Sequence, residues 1–180
     1  MQKLVREEVL PYQYNILNDA IPGIEKSHAI ENIRLAAEKL RGKDVKPDEF
    51  YGMVFQDSDV AKWIEAAAYA LAAGEDPELE KAVDETIQLY GASQHEDGYV
   101  DSYFTVKCPD KMWTNICDAH ELYCAGHMME AAVAYYEVTG KRELLDIMSK
   151  SADCIYEQFI KKNTRAYPGH PEVELALMRL

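Results

Sequence analysis

The chain has 180 residues, 48% of them apolar and 28% charged, and its 19 Lys and Arg against 32 Asp and Glu give a net charge of −13. That is the composition of one soluble globular domain long enough to bury a core, not of a disordered segment. The charge argues against nucleic acid and anionic membrane surfaces, and no apolar run approaches the roughly 20 residues of a membrane span. The start, Met1-Gln2-Lys3-Leu4-Val5-Arg6-Glu7-Glu8, carries charges where a secretory leader needs an apolar stretch, which reads as a cytoplasmic protein. A neutral ligand such as a sugar is compatible with this balance.

In chain order, a first helix is predicted over much of Leu4 to Leu17, bent or split by Pro11. Ser27 offers a cap for a helix from Ala29 to Leu40. Met53-Val54-Phe55 is a short strand candidate. Ser58 and Asp59 then offer caps, and Val60, Trp63, Ile64, Ala67, Ala68 and Leu71 repeat at helical spacing up to Gly74. Asp76-Pro77-Glu78 restarts a helix with proline in its first turn, and Leu79, Val83, Ile87 and Tyr90 mark its buried stripe. Gly91 and Glu96-Asp97-Gly98 close it, and His95 in that polar turn is expected to face solvent. A long connection from about Gly98 to Asp118 follows, holding Tyr99, Tyr103, Phe104 and Trp113; connections of this length are often functional. Asp118 is read as the cap of a long helix ending near Thr139-Gly140. Another helix runs from Lys141-Arg142-Glu143 to about Ile160, and a last one starts at His170-Pro171.

Two units repeat. Glu65-Ala66-Ala67 matches Glu130-Ala131-Ala132, and Glu78-Leu79 falls at the same offset as Glu143-Leu144. The pattern is all-α: αα-hairpin repeats of an open solenoid or a closed α/α toroid. The stretch Glu172 to Leu180 is an amphipathic helix with no cap, glycine or polar tail behind it. It predicts a single, incomplete α/α-barrel domain over residues 1–180, cut within a repeat. Such a half barrel exposes inner apolar faces, which implies self-association or a missing C-terminal portion.

The polar residues best placed for a ligand sit at helix starts: His28, then Gln56, Asp57 and Asp59, then His120 and Glu121, then His170. The inner helices of an α/α barrel run parallel, so these groups are expected to converge on one funnel, with Trp63 and Tyr123 available to stack on a sugar ring. Capping explains Ser27, Asp59 and Asp118 equally well, Asp57 suits the positive end of a helix, and His28 is as readily a structural histidine. His120 and His170 sit where no cap is needed. His127, seven residues after His120, is expected beneath the pocket.

Glycoside cleavage uses paired carboxylates, for which Asp57, Asp59 and Glu121 are the helix-start candidates, but no opposed pair is identified and no catalytic residue is assigned. Cys108, Cys117, Cys124 and Cys154 lack paired spacing and read as reduced thiols, and Cys124 stands where a zincin HExxH motif needs histidine, so no metal is assigned to this chain.

Together, Phe55-Gln56-Asp57-Ser58-Asp59-Val60-Ala61-Lys62-Trp63, His120-Glu121-Leu122-Tyr123-Cys124-Ala125-Gly126-His127 and Gly169-His170-Pro171-Glu172-Val173-Glu174-Leu175-Ala176-Leu177 resemble glycoside hydrolase family 127, the β-L-arabinofuranosidase family. Ser27-His28-Ala29 and Asp97-Gly98-Tyr99 fit as well, and the likeness covers nearly the whole chain. The resemblance implies the first part of an (α/α)6 barrel and retaining hydrolysis of β-L-arabinofuranosides by a zinc-bound cysteine. By motif position, His120 and His170 match sugar-contacting histidines. It also implies that the acid/base glutamate, the nucleophile and the zinc ligands of the complete protein lie beyond the region matched, and that this chain alone is inactive. Two other readings share the pattern. Another α/α-barrel carbohydrate enzyme, such as an epimerase or lyase, is rejected by release of L-arabinose. A non-catalytic helical-repeat interaction module is favoured by ligand binding that survives His120→Ala and His170→Ala.

Overall fold

The computed structural model describes residues 2–180; Met1, the first residue of the charged start, lies outside them. Helix α1 covers residues 2–17, α-helical over Gln2–Leu4 and Leu10–Leu17 with a π-helical stretch, Val5–Val9, between. Pro11 occupies the first turn of the second stretch. A proline cannot donate into the helical ladder and its ring crowds the carbonyl four residues back, so the wider π turn precedes it and the helix continues. Helix α2 is Ala29–Leu40. Ser27 Oγ accepts from the Ala29 amide at 3.4 Å, while His28, between them, is left-handed at φ 57°.

Met53-Val54-Phe55 is not a strand. Gln56 Oε1 accepts from the Met53 amide at 2.9 Å and curls the segment into a turn, and no strand forms among the described residues. Helix α3 is Asp57–Ala72 and starts without a side-chain cap. Ser58 and Asp59 do not cap it because the helix starts before them and both lie in its first turn, where the Lys62 ammonium donates to Ser58 Oγ at 3.1 Å and lies 3.7 Å from the Asp59 carboxylate. Helix α4, Pro77–Ala92, is capped as expected: Asp76 accepts from the Leu79 amide at 3.1 Å.

The connection after Gly98 contains a helix that periodicity does not reveal. Asp101 accepts from the Phe104 amide at 3.0 Å and starts α5, Ser102–Lys107. Helix α6 is Glu121–Thr139, and its N-cap is His120, left-handed at φ 61°, not Asp118. The Asp118 side chain cannot reach the first turn because two residues separate it from the start. Helix α7, Glu143–Tyr156, continues as a π-helical stretch, Glu157–Lys161, and α8 is Glu172–Arg179.

The helices form two rows. In the first, α3, α6 and α8 lie parallel and in register. Tyr123 of α6 sits beside Lys62 of α3 on one side and His170, just ahead of α8, on the other. One helical stretch further, Glu130 of α6 holds Arg179 of α8. In the second row α4 packs on α7, where Gln94 Nε2 donates to the Ile147 carbonyl at 2.8 Å. Helix α1 runs against α3 in the opposite sense: Arg6 Nε donates to Asp76 Oδ2, past the end of α3, at 3.1 Å, and Trp63 Nε1 donates to the Leu10 carbonyl, also at 3.1 Å. This is the layered arrangement of an α/α toroid. The sequence repeat has a direct spatial meaning, since Glu65-Ala66-Ala67 and Glu130-Ala131-Ala132 lie on adjacent parallel helices.

Helix α6 is enclosed between α3, α7 and α8 and buries residues around its whole circumference. Fully buried Met128 and Met129 each contribute about 1.5–3 kcal/mol of burial, so this helix is held by packing more than by intrinsic propensity. Elsewhere Leu175, Leu177 and Met178 of α8 remain exposed. No helix among the described residues is long and apolar enough to cross a membrane.

The approach of α8 to α6 depends on Gly126. A Cβ at that position would lie 2.7 Å from the Val173 amide nitrogen and 2.9 Å from the Glu172 carbonyl carbon, both backbone atoms that cannot rotate away. Gly126→Ala is therefore expected to lower stability by about 1–3 kcal/mol and to loosen α8. A denaturant midpoint and the rate of proteolysis within residues 170–180 measure both effects. An unchanged midpoint with unchanged cleavage would show that the two backbones do not meet there.

Candidate functional site

The parallel row places the starts of α3, α6 and α8 at one end, and there the side chains converge. His120 and His170 have ring centroids 5.2 Å apart, and Tyr123 lies 5.6 Å from the first and 5.0 Å from the second. Phe55, just ahead of α3, lies 5.3 Å from His120 and closes the other side. One turn deeper, His127 meets the edge of Tyr123 at 4.5 Å, with its Nδ1 3.5 Å from the Glu172 carboxylate. Lys62 holds its ammonium 5.2 Å from the Tyr123 ring centre and beside Asp59.

The left-handed backbone at His120 sets the direction of its ring. A left-handed non-glycine residue is uncommon and costs free energy, so its surroundings must hold it there. His120 Nδ1 donates to the Asp118 carbonyl at 2.6 Å. A carbonyl only accepts, so Nδ1 carries a proton, and in the tautomer protonated there alone Nε2 is the acceptor. Gly169 brings His170 in: a Cβ there would overlap the Cys117 carbonyl oxygen. Burial holds His127 below the ordinary histidine range against the opposing pull of Glu172, so its ring is neutral near neutral pH.

The remaining sequence candidates are placed differently. Asp57 and Glu121 are buried, with their carboxylates turned into the core rather than to the mouth. Asp57 accepts from the Ser102 amide at 2.7 Å and from the Ser102 hydroxyl, tying α3 to α5. Glu121 accepts from the Tyr99 hydroxyl at 2.6 Å and from the Trp113 amide at 3.0 and 3.1 Å, tying α6 to the long connection. Asp59 stays partly exposed beside Lys62. Gln56 donates to Ser27 Oγ at 3.3 Å, in line with the mouth but outside the histidine cluster. His28 stands apart, with Nδ1 2.5 Å from Asp19 and its ring 5.2 Å from Tyr51. Trp63 is not available to a sugar, being 2% exposed, bonded to Leu10 and stacked on Tyr14 at 4.6 Å. His95 does not face solvent: its Nε2 hydrogen-bonds Thr105 Oγ1 at 2.9 Å, and burial lowers its pKa.

Three contributors escaped the sequence reading. Lys62 and Glu172 lie inside the quoted motifs, but their relation to Tyr123 and His127 depends on the register between helices. Asp101 had a local signal, an acidic residue three before Phe104 at a helix start. Its other oxygen, Oδ2, is buried without a hydrogen-bond partner. Burial raises the pKa of Asp57 and Glu121, and burial together with the nearby Asp57 carboxylate raises that of Asp101 far above the usual range.

The thiols and acids do not fit a zinc centre. Cys124 and Cys154 are buried, burial pushes the Cys124 thiol well up and the Cys154 thiol to about 11, and Cys108 is also raised. Among the described residues no group of three His, Cys, Asp or Glu side chains could hold a metal ion.

Comparison with known proteins places these features. Residues 1–180 match the family described as β-L-arabinofuranosidase, GH127 catalytic domain. The chain is 42% identical, over 97% of its length, to the non-reducing end β-L-arabinofuranosidase of Bifidobacterium longum subsp. longum, and spans 28% of that protein. A crystal structure of a GH127 β-L-arabinofuranosidase from Geobacillus stearothermophilus T6 superposes with a TM-score of 0.90 at 54% identity, covering 99% of this chain and 27% of that one. A GH127 β-arabinofuranosidase structure gives 0.84 at 31% identity, covering 99% and 28%.

The buried acids carry a pH signature. A carboxyl group whose folded pKa is raised binds its proton more tightly folded than unfolded. Its contribution is therefore full below the ordinary carboxylate range and is lost as pH rises through the raised value. Asp101→Asn keeps an oxygen for the Phe104 amide and removes the buried charge. The expected result is a higher melting temperature near pH 8, about 2–4 °C for each kcal/mol recovered, and little change near pH 4. Equal shifts at both pH values would mean that the pKa of Asp101 is the same in the folded and unfolded chain.

Proposed function

The chain belongs to glycoside hydrolase family 127, the β-L-arabinofuranosidase family, and from that premise we propose that its histidine cluster holds the sugar of a β-L-arabinofuranoside during retaining hydrolysis. The observation that carries the reading is the meeting of His120 and His170 over Tyr123 at the starts of two parallel helices. Tyr123 and Phe55 offer ring faces to the C–H side of a sugar, and His120 Nε2 is an acceptor for one hydroxyl. His127, beside the Glu172 carboxylate and beneath Tyr123, gives the pocket a polar floor.

In this reading the chain binds and orients the sugar, while the nucleophile and the acid/base are supplied by residues outside these 180. Support comes from the acids and thiols themselves. Asp57 and Glu121 have their oxygens engaged in the core, and the buried thiols are far from the thiolate form that attack requires. The zinc and cysteine chemistry of the family is accordingly not assigned to any residue here. Hydrolysis is proposed for a polypeptide of the relatives' length.

The test is a paired measurement of L-arabinose release from a β-L-arabinofuranoside, by the 180-residue chain and by the polypeptide extended through its reading frame. Only the extended form is expected to cleave, with His120→Ala and His170→Ala each lowering kcat/KM by about 10- to 100-fold, the loss of one buried polar contact. Turnover by the 180-residue chain would return the nucleophile to it. Absence of release by both forms would overturn the hydrolase reading.

A further inference from the structure

The segment from Trp113 to Glu121 is a loop closed on itself. Its first amide, that of Trp113, donates to the two carboxylate oxygens of its last residue, Glu121, at 3.0 and 3.1 Å. Glu121 is 2% exposed and also accepts from the Tyr99 hydroxyl at 2.6 Å, so the clasp is fixed from the core side. Within the loop, the Asn115 carbonyl accepts from the Ala119 amide at 3.0 Å and its Oδ1 from the Asp118 amide at 3.3 Å. Ile116 turns into the hydrophobic core. Trp113 and His120, near the two ends, are both left-handed, at φ 62° and 61°. Such residues persist only where their surroundings over-determine them, and here the surroundings are the clasp, the Asn115 bonds and the buried Ile116.

This loop touches both mouth histidines. His120 is its last residue but one, and His120 Nδ1 donates to the Asp118 carbonyl at 2.6 Å, inside the loop. His170 is reached through the backbone. Gly169 packs on the Cys117 carbonyl so closely that a Cβ there would overlap that oxygen. One closed loop thus supplies the first histidine and seats the residue next to the second.

We propose that Glu121 is a positioning residue for the sugar at the mouth: by clasping the loop 113–121 it sets His120 directly and His170 through the Cys117 carbonyl. The proposal rests on the sugar reading of the histidine cluster. Glu121 itself does not meet the sugar, because its oxygens are engaged by Tyr99 and Trp113. What the task requires of the side chain is an oxygen acceptor for the Trp113 amide, which an amide oxygen also supplies.

The experiment measures kcat/KM for release of L-arabinose from a β-L-arabinofuranoside by the natural full-length polypeptide, with melting temperatures taken alongside. Glu121→Ala is expected to lower kcat/KM by about 10- to 100-fold at a temperature where the variant is folded, the cost of misplacing contact groups. Glu121→Gln, which keeps an oxygen for the Trp113 amide, is expected to stay within about threefold of the unaltered protein. The deciding measurement is a double-mutant cycle with His170→Ala. The two losses are expected to combine to less than their product, because one residue acts through the other. A glutamate that only stabilises the fold lowers the active fraction alike in both backgrounds, and its losses multiply. Multiplying losses, or a Glu121→Gln as impaired as Glu121→Ala, would overturn the proposal. Should Glu121→Ala fail to fold, Gly169→Ala tests the same route with Glu121 intact, and is expected to lower kcat/KM about tenfold. An unchanged kcat/KM in Gly169→Ala would overturn the proposal while the sugar reading stands on His120→Ala and His170→Ala. If neither histidine variant alters turnover, the sugar reading falls and this inference with it.

Discussion

The in-register contact of three parallel helices decides what can meet at the mouth. Backbone separation between α6 and α8 is set at Gly126, where no side chain intervenes. That glycine lets the start of α8 approach α6 closely, and with it His170, which lies just ahead of α8. A shift by one helical turn would move side chains by about 5.4 Å along the axis, as far as the whole 5.2 Å between the His120 and His170 ring centres. The polar end of the row inherits its accuracy from the apolar middle, where Met128, Met129 and the Ala-rich stripes leave little room for sliding.

That register would be of little use if the loops at the helix starts could wander. Two buried acids tie them down from behind. Asp57 at the start of α3 receives two hydrogen bonds from Ser102, and Glu121 at the start of α6 receives the Tyr99 hydroxyl and the Trp113 amide. Glu121 adjoins His120, and Asp57 lies two residues from both Phe55 and Asp59, so each carboxylate anchors a helix start whose nearby side chains reach the mouth. The cost is buried acidic charge, which raises the pKa of Asp57, Glu121 and Asp101 together. A buried carboxylate tied by hydrogen bonds contributes specificity of geometry more than stability.

The sequence carried the fold class and nearly every long helix, because periodicity and the proline and glycine signals are local. It also placed His120 and His170 correctly at helix starts. What it lost was direction. Asp57 and Glu121 stand next to pocket residues, and spacing alone could not tell that their side chains turn inward to Ser102 and Tyr99. Trp63 looked like a stacking surface, yet its indole is spent on the Leu10 carbonyl because α1 packs over it. Helix α5 was invisible for a different reason. It is only six residues long, too short for periodicity, and its one signal, the Asp101 cap, resembles any acidic loop residue. Caps at Asp59 and Asp118 were misplaced because left-handed His120 and the turn before α3 start these helices without side-chain help.

Lys62 joins these strands. It belongs to α3, points toward α6, and borders a cleft against α1, so three helices meet around one flexible side chain. Its charge is answered by Asp59 one turn back and by the face of Tyr123, a ring that also contacts both mouth histidines. A lysine so placed costs little in the core, because its ammonium stays in water while its stem covers apolar surface. It also sets a cation against Asp59 at the mouth of a chain with a net charge of −13. Without a cation there, the Asp59 carboxylate would stand unopposed at the start of α3. The acidic composition of the chain and the Lys62–Asp59 pair at its mouth are thus compatible: one cation sits where the histidines converge, while the excess of acids lies elsewhere.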